Sequence, residues 1–209
     1  MLASDMGIYA KYVLPRLTHL AMGQEHLRPY RARVVGGAKG RVLEIGIGSG
    51  RNLPFYGDAV EQVTGVDVSP EMLALAERAV SSQSRKNITL LTHSAESLPF
   101  GKNSFDTVVI TWTLCSIPNP KAALSEVRRV LKPDGELRFV EHGLAPEPDV
   151  RKWQERLTPL WCRCAGGCHL NRKTDHLIHD AGFPIAELST GYARGLRPMA
   201  YMYEGVARL

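Results

Sequence analysis

Cysteine is scarce in this chain: four residues in 209, three of them crowded at Cys162, Cys164 and Cys168. That is too few and too clustered for a secreted disulfide scaffold, so a reducing, cytoplasmic setting is expected. Long apolar runs are missing too. The stretch 8–22 is interrupted by Lys11, Pro15, Arg16 and His19, short of the roughly 20 apolar residues that a membrane span requires. Residues 1–7 have neither the basic nor the apolar region of a secretory leader. A strong charge of one sign is also lacking: 26 Lys and Arg oppose 21 Asp and Glu. The whole excess of +5 falls in residues 1–41, and the remainder is neutral. No aromatic RNA-binding pattern accompanies those cations, which argues against a nucleic-acid partner. With 44% hydrophobic residues, the chain is an ordinary folded one.

What is present is alternation. Apolar runs at Arg41–Gly46, Gln62–Asp67, Asn87–His93, Phe105–Thr111, Glu136–Glu141, Pro184–Ser189 and Met199–Ala207 read as strands, separated by helix-period segments. This is the pattern of an α/β fold around a mainly parallel sheet. Ser69-Pro70 and Asn119-Pro120 each supply an N-cap followed by proline at the first helical position. Lys132-Pro133-Asp134-Gly135 ends the second of these helices. Residues 1–40 read as an appended amphipathic segment with helices at Met6–Met22 and Gln24–Val35, ahead of a domain covering 41–209. Within that domain, 146–181 reads as a helical insertion.

Directly after the first strand, Glu44-Ile45-Gly46-Ile47-Gly48-Ser49-Gly50 places glycines at alternate positions, so that backbone N–H groups can approach a ligand closely. The third glycine falls one residue early for a dinucleotide fingerprint, whose slot holds Arg51. Asp67, about twenty residues on, ends the second strand, where a carboxylate can accept both hydroxyls of an adenosine ribose. Read together with His93-Ser94-Ala95-Glu96-Ser97-Leu98-Pro99-Phe100, Ser104-Phe105-Asp106 and Leu131-Lys132-Pro133-Asp134-Gly135-Glu136-Leu137, the chain resembles the class I S-adenosylmethionine (SAM) dependent methyltransferases. The resemblance implies a Rossmann-like seven-stranded sheet with its last strand antiparallel, helices on both faces and an N-terminal helical lid. It also implies SAM as methyl donor, with S-adenosylhomocysteine as product. The cofactor-binding residues would be Glu44, Gly46, Gly48, Gly50, Asp67, Val68, Ser94, Ala95, Glu96, Thr111 and Trp112, Ser94 standing where the family pattern often has Asp. Trp112-Thr113-Leu114-Cys115-Ser116, Phe139-Val140-Glu141-His142 and Gly167-Cys168-His169-Leu170-Asn171-Arg172 are further similar to a small group that includes thiol S-methyltransferases.

Methyl transfer from a sulfonium needs a nucleophile held in line with the methyl carbon and water kept out. A base matters only where the acceptor holds its proton at neutral pH. His142 is the candidate base, with Glu141 and Thr111 as companions at the strand ends. The acceptor pocket is expected from Tyr9, Tyr12, Trp112, Cys115, His142, Cys168 and His169. Tyr9, Tyr12, Val13, Leu17 and Leu20 would cover the cleft while Arg28, Arg31 and Arg33 stay solvated. No metal site is expected: Cys162 and Cys164 on one helix point about 200° apart, and the spacing is not that of paired structural zinc ligands. The acceptor reads as a small or lipid-like nucleophile, a thiol favoured, with a phospholipid headgroup nitrogen or a quinone ring carbon as alternatives. A non-catalytic SAM-binding module is the competing class. Residues 1–35 are candidates for peripheral contact with the inner face of a membrane.

Overall fold

The computed structural model describes residues 7–82 and 87–209; Met6, with which the first expected helix begins, lies outside them. Seven strands, β1 (Gly40–Ile45), β2 (Val60–Asp67), β3 (Ile88–Thr92), β4 (Phe105–Thr111), β5 (Leu131–His142), β6 (Ile185–Tyr192) and β7 (Tyr201–Arg208), form one sheet in the order 3-2-1-4-5-7-6. The first five are parallel, and β7 runs antiparallel to both of its neighbours. This is the Rossmann-like arrangement that the sequence implied.

Alternation along β1 and β4 explains why the sheet is covered on both faces. Leu43, Ile45, Val108 and Ile110 point to one side and pack against Leu124 and Val127 of α4 (Pro120–Val130) and Ile178 of α6 (Thr174–Asp180). Val42 and Val109 point to the other, meeting Val35, Leu53, Tyr56 and Leu73 of α3 (Pro70–Ser81). The expected caps form: Ser69 Oγ accepts from Met72 N at 3.2 Å, and Asn119 Oδ1 accepts from Ala122 N at 3.1 Å. Each cap contributes about 1 kcal/mol to its helix.

Most strand ends shift by one to three residues from the sequence reading, β2 starting at Val60 and β6 running on to Tyr192, and the starts of β5 and β7 move for identifiable reasons. β5 starts at Leu131 rather than Glu136, because Leu131 pairs with Phe105 and the register then shifts to Thr107 with Glu136, so the Lys132–Gly135 turn bulges out of a continuous strand. β7 starts at Tyr201 because Arg197–Ala200 forms a short helix, α7, before it.

The N-terminal segment packs against the sheet. One π-helical turn (Tyr9–Val13) leads into α1 (Leu14–Ala21), and α2 (Arg28–Val34) comes next. Leu27, Val34, Val35 and Ala38 are buried, Arg138 Nε donates to Val34 O at 2.7 Å, and Arg33 forms a bidentate pair with Glu204 of β7 at 2.6 and 2.8 Å. Between β5 and β6 lie α5 (Pro148–Cys164) and α6.

Candidate active site

A cleft of about 320 Å³ opens at the carboxyl ends of β1, β2 and β4. Its floor is the loop after β1. Gly46 (φ +69°) turns the chain under the loop after β4, where a Cβ would come within 2.2 Å of the Thr113 side chain. Gly48 (φ +55°) faces the cleft, and a Cβ there would meet Met72 Cε at 3.2 Å and Gly46 O at 3.9 Å. The space over its backbone is thus open to a ligand. Gly50 shapes the same turn against Leu53 and Ala79 but does not line the cleft.

Asp67 closes one side of this floor. Its Oδ2 accepts from Gly48 N and its Oδ1 from Ser69 N, both at 2.9 Å. Burial pushes its pKa up while these amide donors oppose the shift. Each carboxylate oxygen retains a second lone pair, so the group is aimed and still able to accept two vicinal hydroxyls. Val68, Ser94, Ala95 and Glu96 form the adjoining wall, and Glu96 is held by the Asn119 amide at 2.8 Å.

Behind the floor lies a buried polar hub. Asn52 Nδ2 donates to Glu44 Oε1 at 2.8 Å and to Thr111 Oγ1 at 2.9 Å, while Arg31 Nε donates to Asn52 Oδ1 at 3.0 Å. Tyr56 Oη donates to Glu44 Oε2 at 2.7 Å. Glu44 therefore does not reach the cleft: it positions Asn52. Burial raises its pKa to about 7 against the help of these donors. Arg31, expected in solvent, is 3% exposed and stacks 4.7 Å from the Trp112 ring centroid. Burial lowers its pKa to about 10, so it remains charged at neutral pH. It lines the cleft with Asn52, and neither was anticipated there. The spacing Leu27, Arg31, Val34 contained the signal for Arg31, because it places that side chain on the buried face of the helix. Trp112, which lines the cleft, takes a left-handed backbone (φ +48°) after β4, a conformation that costs of order 1–3 kcal/mol.

The lid roofs the cleft with the opposite helix face from the one expected. Ala10, Leu14, Pro15, Thr18 and Met22 point inward, whereas Tyr12, Val13, Leu17 and Leu20 are exposed. Tyr9 does not enter the cleft; its hydroxyl donates to Cys164 O at 2.7 Å, joining the lid to the end of α5. His19 fastens the other end, with Nδ1 2.8 Å from Ser49 Oγ and Nε2 2.8 Å from Arg51 Nη2. Since the guanidinium can only donate, Nε2 is the acceptor and the Nδ1 proton goes to Ser49.

Thr111 and Trp112 line the cleft as expected; His142, Glu141, Cys115, Cys168 and His169 do not. Glu141 is fully buried and accepts from the Thr113, Leu114 and Cys115 amides at 2.6, 2.8 and 3.3 Å, fixing the turn after β4 rather than serving an acceptor. His142 has Nε2 3.0 Å from Cys168 Sγ, and its buried Nδ1 has no partner among the described residues. His169 Nδ1 lies 2.7 Å from Gly167 O. These side chains are brought together one layer behind the cleft wall formed by Thr113, Ser116, Ala165 and Gly166.

The model of a methyltransferase domain matches residues 43–139. Thiol S-methyltransferase TMT1B of Rattus norvegicus is 34% identical over 150 residues, which are 70% of this chain and 61% of that protein. Phosphatidylethanolamine N-methyltransferase of Cereibacter sphaeroides is 39% identical over 119 residues, 56% of this chain and 58% of that protein. The chain thus spans about three fifths of the length of the curated relatives it matches. Among solved structures, a SAM-dependent methyltransferase of Methanosarcina mazei superposes with a TM-score of 0.65 and 25% identity, covering 81% of this chain and 92% of the other.

Proposed function

We propose that this chain, whose residues 43–139 match a methyltransferase domain, is a SAM-dependent methyltransferase that transfers the methyl group of SAM to a small amphiphilic nucleophile, foremost a thiol. The residues present fit the donor. Asp67 offers acceptor positions for ribose hydroxyls, the open backbone at Gly48 admits close approach, and Arg31 brings a positive charge for a carboxylate. When bound, SAM supplies a methyl group already activated by its positive sulfur.

One observation carries the choice of acceptor. Beyond Trp112 the cleft wall is Thr113, Ser116, Ile117, Pro118, Ala165 and Gly166, none of them a carboxylate or an imidazole; the Asp67, His93 and Glu96 side chains line the cleft where β2 and β3 end. The wall can orient an acceptor and exclude water, but it has no strong base to offer. The acceptor must bring its own nucleophilicity, and a thiol with pKa near 8.5 does so where an alcohol does not. The thiol S-methyltransferase relative supports this reading.

A second reading, an aminophospholipid headgroup, draws on the phosphatidylethanolamine N-methyltransferase relative and on the exposed outer lid, where Tyr12, Leu17 and Leu20 are 52%, 50% and 68% exposed. That surface supports access to a membrane-borne acceptor through residues 1–35.

Methyl-labelled SAM incubated with alkyl thiols and with phosphatidylethanolamine vesicles tests both readings. Thiol labelling well above that of an Asp67→Ala control is the expected result. Labelling of the lipid alone would favour the headgroup, and none above the control on any acceptor would leave a SAM-binding module without transferase activity.

A further inference from the structure

Three nucleophilic side chains that the cleft does not use meet behind its wall. Cys115 follows β4, His142 ends β5 and Cys168 follows α5, yet one ligand atom from each lies within 4.8 Å of the other two. We propose that Cys115, His142 and Cys168 form a binding site for a thiophilic divalent cation of the zinc class, with three protein ligands and one position left for solvent.

The chemistry of the donor set is that of zinc: two thiolates and a neutral imidazole neutralise a dication and form a soft site that magnesium or calcium would not choose. Bonds of about 2.3 Å to sulfur and 2.0–2.1 Å to nitrogen put tetrahedral ligands about 3.5–3.8 Å apart. His142 Nε2 and Cys168 Sγ, 3.0 Å apart, would open by about half an ångström, while the remaining separations, none above 4.8 Å, would close to that range. The surroundings suit bound thiolates. Trp161 Nε1 donates to Cys168 Sγ at 3.3 Å, and Ser116 Oγ lies 3.5 Å from Cys115 Sγ. Hydrogen-bond donors directed at ligand sulfur are what a metal-thiolate centre recruits around itself. The Arg172 guanidinium donates to Leu114 O and Ile117 O on either side of Cys115, while Glu141 holds the same turn from the other side.

Cys162 and Cys164 stay outside the cluster. Cys162 Sγ donates to Cys168 O at 3.1 Å, and Cys164 is exposed. The ion would fasten the 165–169 turn to the strand ends, and that turn carries Ala165 and Gly166 into the cleft wall. Its role is to hold that wall in shape.

The full chain, stripped with chelator under reducing conditions, is titrated with Zn²⁺ alone and, separately, with Co²⁺ as an optical probe. One ion per chain is expected, with a raised melting midpoint and the thiolate-to-cobalt absorption of a tetrahedral site. Cys115→Ser, Cys168→Ser and His142→Ala should each abolish stoichiometric uptake, and Cys164→Ser should leave it unchanged. Should the alanine variant fold poorly, His142→Cys keeps a ligand in place and should restore binding with stronger thiolate absorption. Uptake well below one ion per chain, or uptake insensitive to Cys115→Ser, overturns the site. A Cys115–Cys168 disulfide formed in air by a protein that takes up no metal overturns it in favour of a redox pair. None of these readouts depends on methyl transfer.

Discussion

Glu44 sits where a charge is costly. Its folded-state pKa of about 7 stands above the ordinary 4.5, with burial as the main cause. Folding thus favours the protonated form: the contribution to stability is complete below pH 4.5 and is lost as pH rises toward 7. Glu44→Gln, which keeps an acceptor for Asn52, should remove roughly 1–3 kcal/mol of that pH-dependent loss, measured by urea unfolding at pH 5 and pH 8. Equal slopes in both proteins would mean that Glu44 stays ionised throughout. Asp67→Ala should leave the fold intact and weaken SAM binding by about 1–3 kcal/mol, the range for lost charge-assisted hydrogen bonds; calorimetry showing no change would displace the ribose from this position. Asp67 is legible in the sequence because strand-end acids after a glycine loop have few other uses. The motif alone points Glu44 at the cofactor, because it gives a residue's place along the strand, whereas the side it serves depends on Asn52 and Tyr56 folding underneath it. His142 and Glu141 mislead for the same reason: both end a strand beside the cleft, and both turn into the layer behind it.

The lid is held at one end by a titrating side chain, His19. His19 has its pKa lowered from 6.5, by burial first and then by the Arg51 charge, so its neutral form is the one that holds Ser49 and Arg51. The fastening is complete above pH 6.5 and is lost as pH falls through the depressed value. Amides of α1 should therefore exchange faster at pH 5.5 than at pH 7.5, after correction for intrinsic rates. His19→Ala should exchange fast at both. If the wild-type amides show no such difference, Tyr9 alone secures the lid. Strand and helix positions are readable because period-2 and period-3.6 patterns rest on local burial. The inward face of the lid is not: residues 9–22 carry apolar side chains nearly all round, and the π-helical turn at Tyr9–Val13 shifts the phase of α1 behind it.

At the scale of the molecule, the charge of +5 belongs to residues 1–41, and the structure takes part of it out of solvent at Arg31, while Arg33 stays exposed and pairs with Glu204. The outward surface of the lid is apolar as much as basic, and no helix among the described residues is long and apolar enough to cross a membrane. Binding to anionic vesicles should then depend on Leu17 and Leu20 and survive moderate salt. The double variant Leu17→Glu, Leu20→Glu should lose most of the vesicle-bound fraction in a flotation assay. Retention by that variant would assign the attraction to the cations instead. The sheet order has a further consequence, for synthesis. β6 pairs only with β7, which is made after it yet sits between it and β5. While a ribosome has completed β6 and not β7, β5 presents a bare hydrogen-bonding edge and β6 has no partner in the sheet. The nascent chain must pass through that interval with an open seam, the kind of exposed edge through which β-proteins mispair.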